Sequence, residues 1–155
     1  MALWQYTFQI VTKESYEYLH KDSNPVSGED GFDEEPYWLL TPTKRSLFDG
    51  ISSIISKGKS WSDALDVYGN LESNCLNVLF NTATQEVESV SFRIDYTRQY
   101  EHVCRAIIEF CILKGMVVLD EKLEIVPMSY EAIKALIEDS SQRKRYDQMS
   151  NYKPE

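Results

Sequence analysis

The chain has little of what most chemistry needs. It holds three cysteines and two histidines. Cys75, Cys104 and Cys111 are odd in number and without C-x-x-C spacing, which points to reduced, buried thiols in a reducing compartment and excludes a disulfide framework. His20 and His102 lie far apart and neither has a metal-binding spacing. No apolar run approaches the length of a membrane span. Leu3–Val11 alternates with polar residues and lacks a basic lead-in and small-residue cleavage site, so it is not read as a secretory leader. The expected setting is the cytoplasm, with no cofactor and no metal.

Basic charge is also scarce where it matters. The net charge is −9 over 155 residues. Residues 1–40 hold two lysines against eight carboxylates, so two thirds of the net charge sits in the first quarter. Such a field repels nucleic acid and anionic membrane and hastens encounter with a basic partner. The short basic run Arg143–Arg145 does not reverse that. The acids crowd into SGEDGFDEEPYW, Ser27 to Trp38, where Glu29, Asp30, Asp33, Glu34 and Glu35 precede Pro36 and the aromatics Tyr37 and Trp38.

What is present reads as an α+β domain. Trp4, Tyr6, Phe8 and Ile10 alternate as one face of a half-buried strand. Residues 22–36 are dense in Asp, Asn, Pro, Ser and Gly, hence loop. Leu47, Ile51, Ile54 and Ile55 predict an amphipathic helix over Thr43 to Ile55, weakened by Gly50 and stopped at Lys57-Gly58-Lys59. CLNVLF (Cys75–Phe80) and VESVSFRIDY (Val87–Tyr96) alternate on either side of a short polar turn and predict an antiparallel hairpin. A helix follows over Arg98–Lys114, with Gly115 as its stop. MVVL and LEIVP are short strands, and Ser129 caps a last helix, SYEAIKALIEDS. Hairpins in place of regular β-α-β alternation predict an antiparallel sheet with helices packed on one face. Residues 1–141 form that single domain, and 142–155 read as a polar C-terminal tail that frays.

The catalytic templates fail one by one. Gly58-Lys59-Ser60 resembles the end of a phosphate loop, but position 53 is Ser where that motif needs glycine, and a helix precedes it where a strand should. A calcium hand starting at Asp22 places Val26 and Ser27 where a ligand and a glycine belong. His102 and Cys104 sit two apart on a helix and point about 200° apart. Cys104 and Cys111 share the face of Ile107 and Ile108 and read as small buried hydrophobes. On the hairpin, Asn77, Ser89, Ser91, Arg93 and Asp95 occupy the face opposite the core. Arg93 and Asp95 are expected to form a partly shielded ion pair, with binding as the second reading of that face.

The run SVSFRIDYTRQYEHVCRAIIEFCILKGMVVLDEKLEIVPMSYEAIKALIEDS, with Arg93-Ile94-Asp95, Pro127 and Ser140, resembles small bacterial immunity proteins encoded beside polymorphic or contact-dependent toxins. The likeness covers about residues 61–141. Ser140 is followed by Ser141, Gln142 and Arg143, where that pattern carries a small and then an apolar residue. The resemblance implies a non-enzymatic binder that neutralises a cognate toxin protein, for instance a nuclease, in the producing cell's cytoplasm. The expected partner-binding residues are the five acids with Tyr37 and Trp38, and Asn77, Arg93 and Asp95 come second. An adaptor or regulatory domain with an acidic loop, and an enzyme whose site is assembled from scattered residues, are the other two readings.

Overall fold

The computed structural model describes residues 4–20 and 35–150. Six strands, β1 (Gln5–Thr12), β2 (Leu65–Gly69), β3 (Cys75–Phe80), β4 (Val87–Asp95), β5 (Met116–Leu119) and β6 (Ile125–Val126), form one antiparallel sheet in the order β2-β3-β4-β1-β5-β6. Among the described residues five α-helices accompany them: α1 (Lys13–Leu19), α2 (Glu35–Leu40), α3 (Glu101–Leu113), α4 (Tyr130–Glu138) and α5 (Ser141–Ser150). A 3-10 helix spans Arg45–Ser53. The result is the α+β class that the alternating hairpins predicted.

Register assigns the two faces of the sheet, because directly opposed residues in antiparallel strands share a side. Tyr6 faces Ile94, Phe8 faces Phe92, Leu76 faces Phe92 and Val78 faces Val90. All are buried and belong to the main core. Across the other face Gln5 lies opposite Asp95, Thr7 opposite Arg93, and Asn77 opposite Ser91. The predicted hairpin is β3–β4, with a register shift between Leu79 and Phe80.

Helix ends follow their caps. Thr12 accepts a bond from Ser15 N at 3.2 Å and opens α1, a helix absent from the sequence-based assignment. Ser129 Oγ accepts from Ala132 N at 3.1 Å and opens α4 as expected. Gly115, at φ +70°, ends α3 and turns directly into β5. That backbone conformation is costly for any residue with a Cβ.

Two expectations need correction. The segment 43–55 winds as a 3-10 helix over Arg45–Ser53 rather than an α-helix. Arg45, Phe48, Ile51 and Ile54 recur every third residue, and positions three apart eclipse one another on a 3-10 helix. The hydroxyls of Ser52 and Ser53 bond the carbonyls of Asp49 and Gly50, three residues back, at 2.9 and 2.8 Å. The polar tail is helical through Ser150: Ser140 Oγ caps Arg143 N at 3.1 Å, and Tyr146 packs edge-on against Tyr96 with centroids 5.8 Å apart. Strand β2, like α1, is absent from the sequence-based assignment, because LDVYG places an aspartate on the core side where alternation expects an apolar residue.

Gly58 explains the false phosphate loop. Its N–H bonds Val67 O at 2.8 Å, Gly69 N bonds Ser56 O at 2.8 Å, and Lys57 bridges Tyr68. The stretch thus pairs with the outer side of β2 and covers part of that sheet edge. A Cβ on Gly58 would sit 2.7 Å from Gly69 O, so close backbone approach is the reason for glycine there.

Candidate interaction interface

The acidic stretch emerges between two helices that are tied together. Glu29, Asp30, Asp33 and Glu34 lie outside the described residues, and Glu35 is the first residue of α2. At one end is His20, which closes α1. At the other is Tyr37, whose hydroxyl lies 2.8 Å from His20 Nε2. Tyr16 stacks on the His20 ring with centroids 4.2 Å apart. Burial pushes the Tyr37 phenol above its ordinary pKa, and neighbouring Tyr16 adds to the shift.

A cluster of hydroxyls fastens the same two helices. Thr41 Oγ1 lies 2.7 Å from Thr12 Oγ1 and 2.8 Å from Ser15 Oγ, and it donates to Tyr37 O at 3.2 Å. Small hydroxyl side chains let the segments approach closely while satisfying one another's polar atoms.

Helix α2 divides the apolar run Tyr37–Leu40 in two. Tyr37 and Trp38 are buried, and Trp38 meets Phe48 edge-on at 6.3 Å between centroids. The two aromatics expected to touch a partner are therefore core residues and present no surface to one. Leu39 and Leu40 carry the opposite role, being 67% and 44% exposed. Tyr18 on α1, which packs against α2, is also exposed. With Tyr37 and Trp38 turned inward, the next two residues of so short a helix rotate toward solvent.

The secondary candidates do not form the expected pair. Arg93 Nη1 donates to Leu71 O at 3.2 Å, and Asp95 Oδ1 accepts from Thr97 N at 3.0 Å. The nearest cation to Asp95 is Arg98, with Nε 3.6 Å from Oδ2. Two residues apart along one strand, the side chains start roughly 7 Å from each other. Each finds a closer partner. The turn joining β2 to β3 supplies several of them: Gln5 Nε2 donates to Leu71 O at 2.9 Å and Ser73 O at 2.6 Å, and Asn74 Oδ1 accepts from Asp95 N at 2.7 Å. That turn is thereby laid over the end of the polar face, where Asp95 is buried. Asn77 Oδ1 and Arg93 Nε are buried without a hydrogen-bond partner among the described residues.

Neither thiol chemistry nor metal chemistry gathers here. Burial pushes Cys104 and Cys111 up to about 12 and raises Cys75, with Arg93 and Asn77 opposing the shift at Cys75. The thiolate, which is the nucleophile, is suppressed at all three. Among the described residues no group of three His, Cys, Asp or Glu side chains is placed to hold a metal ion, and no helix is long and apolar enough to cross a membrane. A charged cluster missed in the sequence does exist at Asp66, which Arg45 grips through both oxygens (Nε–Oδ2 2.9 Å) and Lys57 joins at 3.2 Å. Arg45 also lies 3.9 Å from the Phe80 ring centroid. Asp66 is buried between half-buried Arg45 and exposed Lys57, and the cluster joins the 3-10 helix to β2 with both carboxylate oxygens already engaged.

No protein-family model, curated protein or solved structure matches the chain.

Proposed function

We propose that the chain is a non-enzymatic binding protein that captures and neutralises a basic protein, in the manner of the bacterial immunity proteins it resembles over residues 61–141. Its partner on this reading is a cognate toxin domain such as a nuclease, met in the cytoplasm of the producing cell. The observation that supports it is the build of residues 29–40. Five carboxylates run into a short helix whose inner residues are seated in the core and whose outer leucines face solvent. Outlying carboxylates accelerate encounter with a basic surface, and desolvated apolar anchors at the centre slow its escape.

Capture from the producing bacterium identifies the partner, and co-expression tests whether it is neutralised. Stopped-flow association over a salt series then tests the mechanism. Replacing Glu29, Asp30, Asp33, Glu34 and Glu35 by Gln or Asn should slow association and flatten its salt dependence, with a smaller change in dissociation. Leu39→Ser with Leu40→Ser should mainly speed dissociation. An association rate indifferent to both salt and the five neutral residues overturns the proposal. So does a turnover abolished by changing His20, His102 or a cysteine.

A further inference from the structure

Helix α3 buries Cys104, Ile107, Ile108 and Cys111 in the core. Its exposed side carries Ile112 and Leu113 as well. Positions 105, 108 and 112 share a side of the helix at spacings of three and four. With Met128, Tyr130 and Leu113 they line an open groove of about 310 Å³ between α3 and the start of α4. Ile112 is 58% exposed and Leu113 75%, the most exposed large apolar side chain among the described residues. Adjacent exposed aliphatics beside a groove are the usual mark of a contact surface.

The rim supplies the charge. Arg105 Nη2 bonds Glu101 at 3.0 Å and Glu131 at 2.9 Å, and its guanidinium lies 4.8 Å from the Tyr130 ring centroid. One cation is thus shared by two carboxylates, and Glu109 adds a third on the groove wall. Acid is in excess around an apolar floor. A second copy of this chain, itself at −9, is a poor electrostatic match for that rim.

We infer that the α3–α4 groove is a second docking surface, and that its occupant is a basic amphipathic helix of a partner protein. Aliphatic residues at i and i+4 would lie on Ile108, Ile112 and Met128, with lysines or arginines against Glu109 and the two carboxylates that share Arg105. This rests on the reading of the chain as a binder of basic proteins, but it uses none of the residues that carry that reading.

A synthetic leucine-lysine helix, about four turns long with leucines along one face, is the probe. A scrambled peptide of the same composition is the control. With the full chain labelled at its Ile, Leu and Met methyl groups, the ordered peptide should shift Ile112, Leu113 and Met128 first. Ile112→Ser with Leu113→Ser, both at exposed sites, should weaken binding roughly tenfold, the scale of a lost apolar anchor. Glu109→Gln should weaken it less and reduce its salt dependence. Neutralising the five acids at 29–35 should leave peptide affinity within about a factor of two, because the inference assigns the peptide's lysines to the groove's own carboxylates. Equal binding of the scrambled peptide, shifts confined to Leu39 and Leu40, or indifference to the serine pair overturns the inference. Self-association of the chain that the serine pair abolishes also overturns it, by making a second copy the occupant. Loss of peptide binding in the five-acid variant alone ends the groove inference and leaves the proposed function standing. An intact groove response together with salt-indifferent capture of the natural partner does the reverse.

Discussion

Asp66 and Asp95 sit on opposite faces of one sheet, are 5% and 3% exposed, and are kept there by different means. Asp66 is on the core side, opposite Val78, and two cations hold it. Asp95 is on the polar side, opposite Gln5, and is held by the amide and hydroxyl of Thr97 with only exposed Arg98 as a nearby cation. Burial of a carboxylate thus says nothing about whether the face around it is apolar. Charge goes with charge where the surroundings are dry, because an unpaired ion there is too costly. At the polar end of a strand, hydrogen bonds from a turn suffice.

The largest difference between the two faces should appear at high pH. The core side carries Tyr6, and the core adds Tyr100, Cys104 and Cys111. Burial pushes all four up to about 12. A raised folded pKa means the neutral form is favoured in the fold, so the stability is complete below the unfolded pKa and lost as pH rises toward the folded one. For the thiols that window runs from 9.0 to about 12, and for the tyrosines from 10.0 to about 12. Melting temperature should hold to pH 9 and then fall steeply. In a variant with Cys75, Cys104 and Cys111 all changed to Ala the baseline drops, and the onset of the alkaline fall should move up toward pH 10. An onset that stays at pH 9 in that variant would mean the thiols are not the first groups to charge.

Next in size is the pair of aspartates itself. Asp66→Ala removes the charged hydrogen bonds that Arg45 and Lys57 make beside the rings of Phe80 and Tyr68 and should cost about 2 to 3 kcal/mol in chemical denaturation. Asp66→Asn should recover part of it, since one oxygen can still accept from Arg45. Asp95→Ala removes hydrogen bonds in place of a salt bridge and should cost about 1 to 2 kcal/mol. If the two losses are equal, the contrast drawn between the faces is wrong. If Asp95→Ala also abolishes partner capture at unchanged melting temperature, the polar face is a recognition surface.

Much of the sheet was legible because strands alternate with period two, a rule that Tyr6, Phe8 and Ile10 on β1, Leu76 and Val78 on β3, and Val90, Phe92 and Ile94 on β4 obey, while Val11 and Val87 join the core out of phase. The helices α3 and α4 were legible through Gly115 and Ser129, residues whose roles are local. Strand β2 was not, since Asp66 breaks the alternation and its partners Arg45 and Lys57 come from elsewhere in the chain. The 3-10 helix was hidden because Leu47, Ile51, Ile54 and Ile55 fit the α period while Phe48 and Ile51 fit the tighter one. At the interface, the acidic stretch was visible as composition. Which of Tyr37–Leu40 faces out depends on the Thr12–Ser15–Thr41 contacts, and tertiary contacts of that kind leave no mark on periodicity. The groove at Ile112 and Leu113 was hidden by the same helical pattern that identified α3, which assigns any apolar residue on it to the core.

The smallest expected effect is at Arg93, and it tests the polar face most finely. Its Nε is buried without a partner among the described residues, while Nη1 keeps one bond to Leu71 O. An unsatisfied buried donor costs free energy, and the single bond to a carbonyl returns some of it. The two nearly cancel. Arg93→Met keeps much of the stem that packs beside Cys75 and removes both polar contributions, so stability should change by no more than about 0.5 kcal/mol. Arg93 also opposes the burial-driven rise of the Cys75 thiol, so its removal should make that thiol still harder to ionise. The measurement is therefore double: an urea midpoint that barely moves, and native-state labelling of Cys75 by a thiol reagent that slows relative to wild type at pH 8 to 9. A loss of 2 kcal/mol or more would show that the bond from Arg93 to Leu71 is what lays the β2–β3 turn over the sheet. Faster labelling would lead to the same conclusion, because an uncovered Cys75 would outrun any change in its ionisation.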